Sequence, residues 1–267
     1  MKVRAIALNT FGSLLRNKLI VLFLAGFVCV VLLMMTPMLA AKTIAGTMEA
    51  GQAEGMVLGI VSAIMSLVSG FGSLLAGWAA ADVVSSEMKS GTILAIMARP
   101  VRRWEFLLGK YLGVQLLMVV YVLAMFALSY LLAWMGGEKI HSAAWTLLLY
   151  PLVRYAIYSA IATLLVTMMH PVVAFAIILV TSVAASILAP SSATRAILPE
   201  WLRAGLYAVL PSTGLLSEAR FLAITQSALH STSWTDHLTA IAYGLDYALV
   251  CFLLAAWSFH KRSLSRV

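Results

Sequence analysis

Acid–base and metal chemistry in proteins most often uses histidine, the residue that changes charge near neutral pH and the commonest metal ligand. The five in this chain are His141, His170, His230, His237 and His260. None stands in an H-E-x-x-H metal motif, and no G-x-S-x-G nucleophile motif occurs. His230 and His237 share one polar connection, where such residues are usually solvated. We therefore predict that the chain is not an enzyme and binds no metal or cofactor.

Nucleotide binding is the second chemistry to consider. A phosphate-binding P-loop requires the pattern G-x-x-x-x-G-K-[ST], whose glycines let backbone N–H groups surround the phosphates. The one Gly-Lys pair, Gly109-Lys110, has Trp104 in place of the first glycine and is followed by Tyr111. The sequence therefore predicts no P-loop in this chain.

Two charged residues, Arg154 and Asp246, stand inside long apolar runs. Charge in a membrane interior is costly, so such a side chain normally faces a partner or water. Counted from the outer ends of their runs, the two differ in depth by roughly 5 Å at a rise of 1.5 Å per residue. They could form an ion pair that stabilises helix packing, or either could contact a substrate.

The elements that hold these residues are apolar. Hydrophobic residues make up 63% of the chain and charged residues only 10%, which is typical of an integral membrane protein. Each bilayer crossing needs about 20 residues, and lipid offers no hydrogen-bond partners, so the crossings should be helices. We predict one all-α transmembrane domain over residues 1–267. Its six spans would cover residues 19–41, 56–82, 107–135, 144–169, 172–189 and 239–259.

The distribution of Lys and Arg predicts the orientation, because basic flanks stay on the cytoplasmic side. Of the 18 basic residues, 12 lie before the first span, around the connection between the second and third spans, or after the last span. Both termini should therefore be cytoplasmic, in the cell inner membrane. The net charge of +8 then reflects topology and contact with membrane lipids rather than nucleic-acid binding.

Three segments outside the spans could form further helices. In residues 2–18, Val3, Ala7, Phe11 and Leu14 recur at helical spacing, which predicts an N-terminal helix in the inner membrane interface; a disordered basic flank is the alternative. In the long outer connection, residues 196–210 and 214–229 could form amphipathic or re-entrant helices before the last span. A simple surface cap is the alternative there.

The most polar stretch, SSEMKSGTILAIMARPVRRWEFLLGK, covers residues 85–110. Ser90, Gly91 and Thr92 offer a turn and a helix N-cap, an apolar stripe follows, and Arg99-Pro100 ends the helix. A short helix with an apolar face inside a ring of charge suits docking into a groove on another protein. An amphipathic loop resting on lipid is the alternative.

Motifs in this stretch support the docking interpretation. In order they are Glu87, Gly91-Thr92, Pro100, Arg102-Arg103 and Gly109-Lys110. This order, between the second and third of six spans, resembles the cytoplasmic signature of ABC-2 type permeases, the membrane subunits of exporter-like ATP-binding-cassette (ABC) transporters. LLRNKL at 14–19 and VLPSTGLLSEARFL at 209–222 resemble further family segments. The resemblance covers the whole chain, and the small six-helix members, such as the permease serving nitrous-oxide-reductase maturation, are most alike.

The resemblance implies a permease subunit that pairs with a second copy or a homologue. A cytoplasmic ABC ATPase dimer would bind ATP and push on a coupling helix at residues 91–99, with the turn around His170-Pro171 as a smaller contact, to drive export or gating. The implied coupling residues are Glu87, Gly91, Thr92, Ile93, Ile96, Met97, Pro100, Arg102, Arg103 and His170. A passive channel, a membrane assembly scaffold and an intramembrane enzyme are the alternatives.

Overall fold

A computed structural model of the protein describes residues 2–29, 50–90, 102–136, 146–187 and 234–261, together with residues 199, 210, 211 and 216. Seven α-helices lie in these ranges, and no strand is found in them. They are α1 (Lys2–Arg16), α2 (Lys18–Cys29), α3 (Ala50–Ser90), α4 (Arg103–Gly136), α5 (Thr146–Met168), α6 (Pro171–Ile187) and α7 (Trp234–Lys261). The predicted all-α class is confirmed.

Each of the six predicted spans overlaps one of the helices α2 to α7. Four helices are long and apolar enough to cross a membrane, through Leu67–Glu87 of α3, Arg103–Leu128 of α4, Leu148–Met168 of α5 and His237–Lys261 of α7. The bent pair of α1 and α2 would make a fifth if it counts as one span. The 17 residues of α6 extend only about 26 Å, less than a typical hydrocarbon core. The number of six spans therefore stays a prediction.

The helix α5 lies at the centre of the described bundle, in contact with α3, α4, α6 and α7. Its buried Tyr155 packs edge-on against Tyr121 of α4, with ring centroids 5.9 Å apart. The hydroxyl of Tyr121 donates a hydrogen bond of 2.6 Å to the backbone carbonyl of Val68 on α3. Because lipid cannot satisfy a polar group, such bonds between helices stabilise the core while keeping its hydroxyl groups paired.

The helix α1 packs against the first half of α4 at two glycines. A methyl group added at Gly109 would lie 2.7 Å from Cβ of Ile6, and one added at Gly113 would lie 2.6 Å from Cβ of Thr10. Glycine is needed at both positions for this close approach, as their spacing of four residues suggests. Residues 2–16 are helical, as predicted. The polar residue Thr10 also lies in this contact, since it is only 1% exposed and faces Gly113.

Candidate functional site

The predicted coupling helix itself lies outside the described residues. Residues 91–101 are not described, so the predictions for Gly91, Thr92, Ile93, Ile96, Met97 and Pro100 stay predictions. The structure does describe both flanks of this segment, since α3 ends at Ser90 and α4 begins at Arg103. Glu87, Arg102 and Arg103, which were assigned to the same site, can therefore be placed.

Glu87 precedes the segment by one helical turn and forms an ion pair with Lys110 of α4. The lysine is buried, with only 5% of its surface exposed, and its Nζ also lies 5.6 Å from the ring centre of Phe106. A buried charge is costly unless it is paired, so each partner depends strongly on the other. This pair joins the end of α3 to α4 directly before the predicted coupling segment. The role of Lys110 was not predicted, because only the pattern around Gly109-Lys110 was considered.

Arg102 and Arg103 stand on the other flank and have different roles. The backbone N–H of Arg102 donates to the Glu105 carboxylate over 2.9 Å, which is half of a capping box at the start of α4. The guanidinium of Arg103 donates to the backbone carbonyl of His260 over 2.9 Å. Carbonyl groups in the last turn of a helix have no partner inside that helix, so Arg103 satisfies one of those of α7. The second flank is thus connected to α7.

Taken together, these contacts tie both flanks of residues 91–101 to the bundle. Glu87 connects the first flank to α4, and Arg103 connects the second to α7. Displacing the segment would therefore act on α3, α4 and α7 together. Such an arrangement can convert a push at one end of the bundle into a movement of several membrane helices, provided that a partner supplies the push.

A cavity of about 350 Å³ opens next to the Glu87–Lys110 pair, between α1, α3 and α4. Its polar wall includes Thr10, Arg16, Asn17 and Asp82. Asn17 lies at the junction of α1 and α2, where the chain bends by 66°. Its side-chain amide donates to the Asp82 carboxylate over 2.6 Å, while its side-chain oxygen accepts the Leu19 N–H and so caps α2. The contact between Asn17 and Asp82 was not predicted from the sequence.

The two intramembrane charges do not meet. The guanidinium of Arg154 donates over 3.1 Å to the hydroxyl of Ser69 on α3, whereas Asp246 is exposed on α7 beside Leu245 and Leu249. Among the described residues there is no ion pair between Arg154 and Asp246. The pairing considered from the sequence is therefore absent from this structure. Depth alone suggested it, whereas Arg154 is half-buried against α3 and Asp246 is exposed.

The turn at His170-Pro171 joins α5 to α6, as the sequence indicates. His170 is exposed, its carbonyl accepts the Ala174 N–H over 3.0 Å, and its ring Nδ1 accepts the Val172 N–H over 3.4 Å. This tight turn places an imidazole at the surface, but its contact with an ATPase stays a prediction. His237 is hydrogen-bonded to the Tyr150 hydroxyl. In the described ranges, no group of three or more metal-ligating side chains comes together.

The helices define the class of protein, which is a multi-pass helical membrane protein. At one end of the bundle, charged side chains link α3, α4 and α7. The model of the ABC-2 family transporter proteins matches residues 4–264, and the chain belongs to that family. It is therefore a membrane component of an ABC transporter. Among curated proteins, none matches the chain. The resemblance stated from the sequence is confirmed at the level of the family, whereas the likeness to the nitrous-oxide-reductase maturation permease stays a prediction.

Proposed function

We propose that this chain is a permease subunit whose movement is driven by a separate cytoplasmic ABC ATPase, and that the complex exports its substrate. Family membership supports the permease role. The Glu87–Lys110 ion pair is the observation that supports coupling, because it fixes the first flank of residues 91–101 to two membrane helices. ATP and Mg²⁺ would be bound by the ATPase dimer. Two permease subunits, identical or homologous, would form the pathway between them.

The chemistry of the described helices favours an amphipathic substrate. Charges within the described spans are few, and Arg154 is bound to Ser69 in the core. A pathway with little fixed charge suits a lipid-like or drug-like molecule better than a highly charged one, because a charged solute would need paired groups to replace its water. In this proposal ATP binding favours one of two arrangements of the bundle, since the ATPase contacts them differently.

The proposal is tested by expressing the permease with the ABC ATPase encoded beside it and reconstituting the purified complex in liposomes. We expect the two proteins to copurify and ATP hydrolysis to respond to the permease. A catalytically inactive ATPase, carrying a substitution of its own P-loop lysine, is the matched control and should bind without turnover. A permease that copurifies with no ATPase and lets solutes pass without ATP would instead be a passive channel.

A further inference from the structure

The coupling role leaves the cavity at the junction of α1 and α2 without a function. This cavity lies beside Glu87, at the end of the candidate span Leu67–Glu87, which is the level of lipid head groups. Its volume of about 350 Å³ falls in the range of small-molecule sites. We propose that it binds the phosphoethanolamine head group of a phospholipid. This inference is independent of ATPase coupling.

An occupant is indicated by Thr10. Its side chain lies on the cavity wall and is only 1% exposed, and its hydroxyl oxygen has no hydrogen-bond partner in the described structure. Buried polar groups nearly always have a partner, because a missing hydrogen bond is costly. The Cβ and Cγ2 atoms of Thr10 lie against Gly113, and its hydroxyl is left without a protein partner. A ligand that accepts or donates one hydrogen bond would satisfy it.

The charges of the wall indicate a ligand that carries both signs. Lys110 and Glu87 are bound to each other, so that pair contributes little net charge. Arg16 and Asp82 stand on the same wall. A guanidinium matches two oxygens of a phosphate group, whereas a carboxylate suits a primary ammonium group. A carboxylate accepts up to about four hydrogen bonds, so the bond from Asn17 leaves Asp82 able to accept from an ammonium group.

The combination of Arg16 and Asp82 on the cavity wall distinguishes phosphoethanolamine from the other common head groups. Phosphocholine carries a quaternary ammonium without N–H donors, so it cannot donate to Asp82. Phosphoglycerol has no cation at all. The helix α2, which begins beside the cavity, exposes the apolar side chains of Leu19, Val21 and Leu22. An apolar surface next to a polar cavity suits acyl chains, which favours a lipid over free phosphoethanolamine.

The test uses the full-length protein purified in detergent and freed of lipid. Native mass spectrometry measures its binding of dioleoyl phosphatidylethanolamine, phosphatidylcholine and phosphatidylglycerol, each titrated separately. We expect phosphatidylethanolamine to bind with an affinity on the order of tenfold higher than the other two, given the strength of charge-assisted hydrogen bonds. Equal binding of all three lipids by the wild-type protein would overturn the proposal.

Two cavity variants test the two charges separately. Asp82→Asn keeps the size and a hydrogen-bond acceptor, and should remove the preference for phosphatidylethanolamine over phosphatidylcholine. Arg16→Gln should weaken binding of all three lipids by on the order of tenfold, because each has a phosphate group. Arg4→Gln is the matched control, since Arg4 is exposed on the same helix and outside the cavity. It should bind as the wild type does.

Two further outcomes are decisive. Since Asp82→Asn could disturb the bend at Asn17, its fold is checked by size-exclusion chromatography, and if it fails to fold, Arg16→Gln decides alone. Arg16→Gln protein that binds all three lipids as the Arg4→Gln control does would overturn the site. Soluble O-phosphoethanolamine is added as a competitor. If it displaces the lipid at equal concentration, the cavity binds free phosphoethanolamine rather than a phospholipid.

Discussion

Lys110 on α4 and Glu87 on α3 form a buried ion pair one turn before the end of α3. The side chain of the lysine is 7% exposed and that of the glutamate 20%. The lysine in particular has little access to water, so removal of the glutamate leaves its charge poorly compensated. The stability of this end of the bundle should therefore depend on the pair as a unit.

Replacing one member of this pair should be worse than replacing both. We expect Lys110→Met alone to destabilise the protein by on the order of 3 kcal/mol, and Lys110→Met with Glu87→Gln to cost clearly less, because the double change leaves no charge uncompensated. Thermal unfolding in detergent measures each variant. Single effects that simply add in the double variant would show that the two side chains do not interact.

The predicted coupling helix can be tested at its apolar face. Ile93, Ile96 and Met97 share one side of a helix over residues 91–99. Ile96→Asp should leave the permease folded but weaken ATPase binding by on the order of 2 to 4 kcal/mol, about 30- to 1000-fold, because it removes an anchor and adds an unpaired charge. Binding of the ATPase to the purified permease measures this loss.

Ala95→Asp is the matched control for that substitution. It adds the same charge to the same segment, on the opposite side of the predicted helix, and should leave binding nearly unchanged. If Ile96→Asp protein binds and stimulates the ATPase as well as the control, residues 91–99 are not the coupling helix. The alternative of a loop resting on lipid would then be preferred.

Membrane orientation gives a third prediction. Tags at residues 1, 95 and 267 should report the cytoplasm, and a tag near residue 230 should report the outside, because 12 of the 18 basic residues flank one side. Accessibility of single cysteines to an impermeant reagent, introduced in a variant lacking Cys29 and Cys251, checks the same point. Labelling of residue 95 from outside would remove the coupling assignment.

The intramembrane charges give a fourth prediction. Arg154→Met and Ser69→Ala should be coupled by about 0.5 kcal/mol or more, since the guanidinium donates to the serine hydroxyl. Arg154→Met and Asp246→Asn should be additive within about 0.5 kcal/mol, because the structure places the two side chains apart. Double-mutant cycles from thermal unfolding measure both couplings. Strong coupling between Arg154 and Asp246 would contradict the arrangement described.

The helices were predictable because lipid forces the backbone to satisfy its own hydrogen bonds, so apolar runs become helices almost regardless of other detail. The close packing of α1 against α4 is consistent with Gly109 and Gly113 in the sequence, since glycines four residues apart allow two helices to approach each other. The burial of Thr10 could not be predicted in this way. A polar residue that packs against glycine is buried by its neighbour, which hydrophobic periodicity does not show.

The partners of charged residues could not be predicted in the same way. Counting residues gives the depth of Arg154 and Asp246 but not the direction in which each side chain points. Asn17 has a signal in the sequence, because asparagine is a favoured N-cap and stands directly before Lys18, where α2 begins. Its bond to Asp82 had no such signal, since contact between residues 65 positions apart depends on how the helices are arranged.

The bend at Asn17 also affects the order in which the protein can assemble. Asp82 follows Asn17 by 65 residues, which takes about 3 to 13 s at a synthesis rate of roughly 5–20 residues per second. Gly113, against which Thr10 packs, emerges later still. The angle between α1 and α2 is therefore set only after α3 and α4 have left the ribosome. Until then the face of α1 that packs against α4 is open to chaperones and to premature contacts.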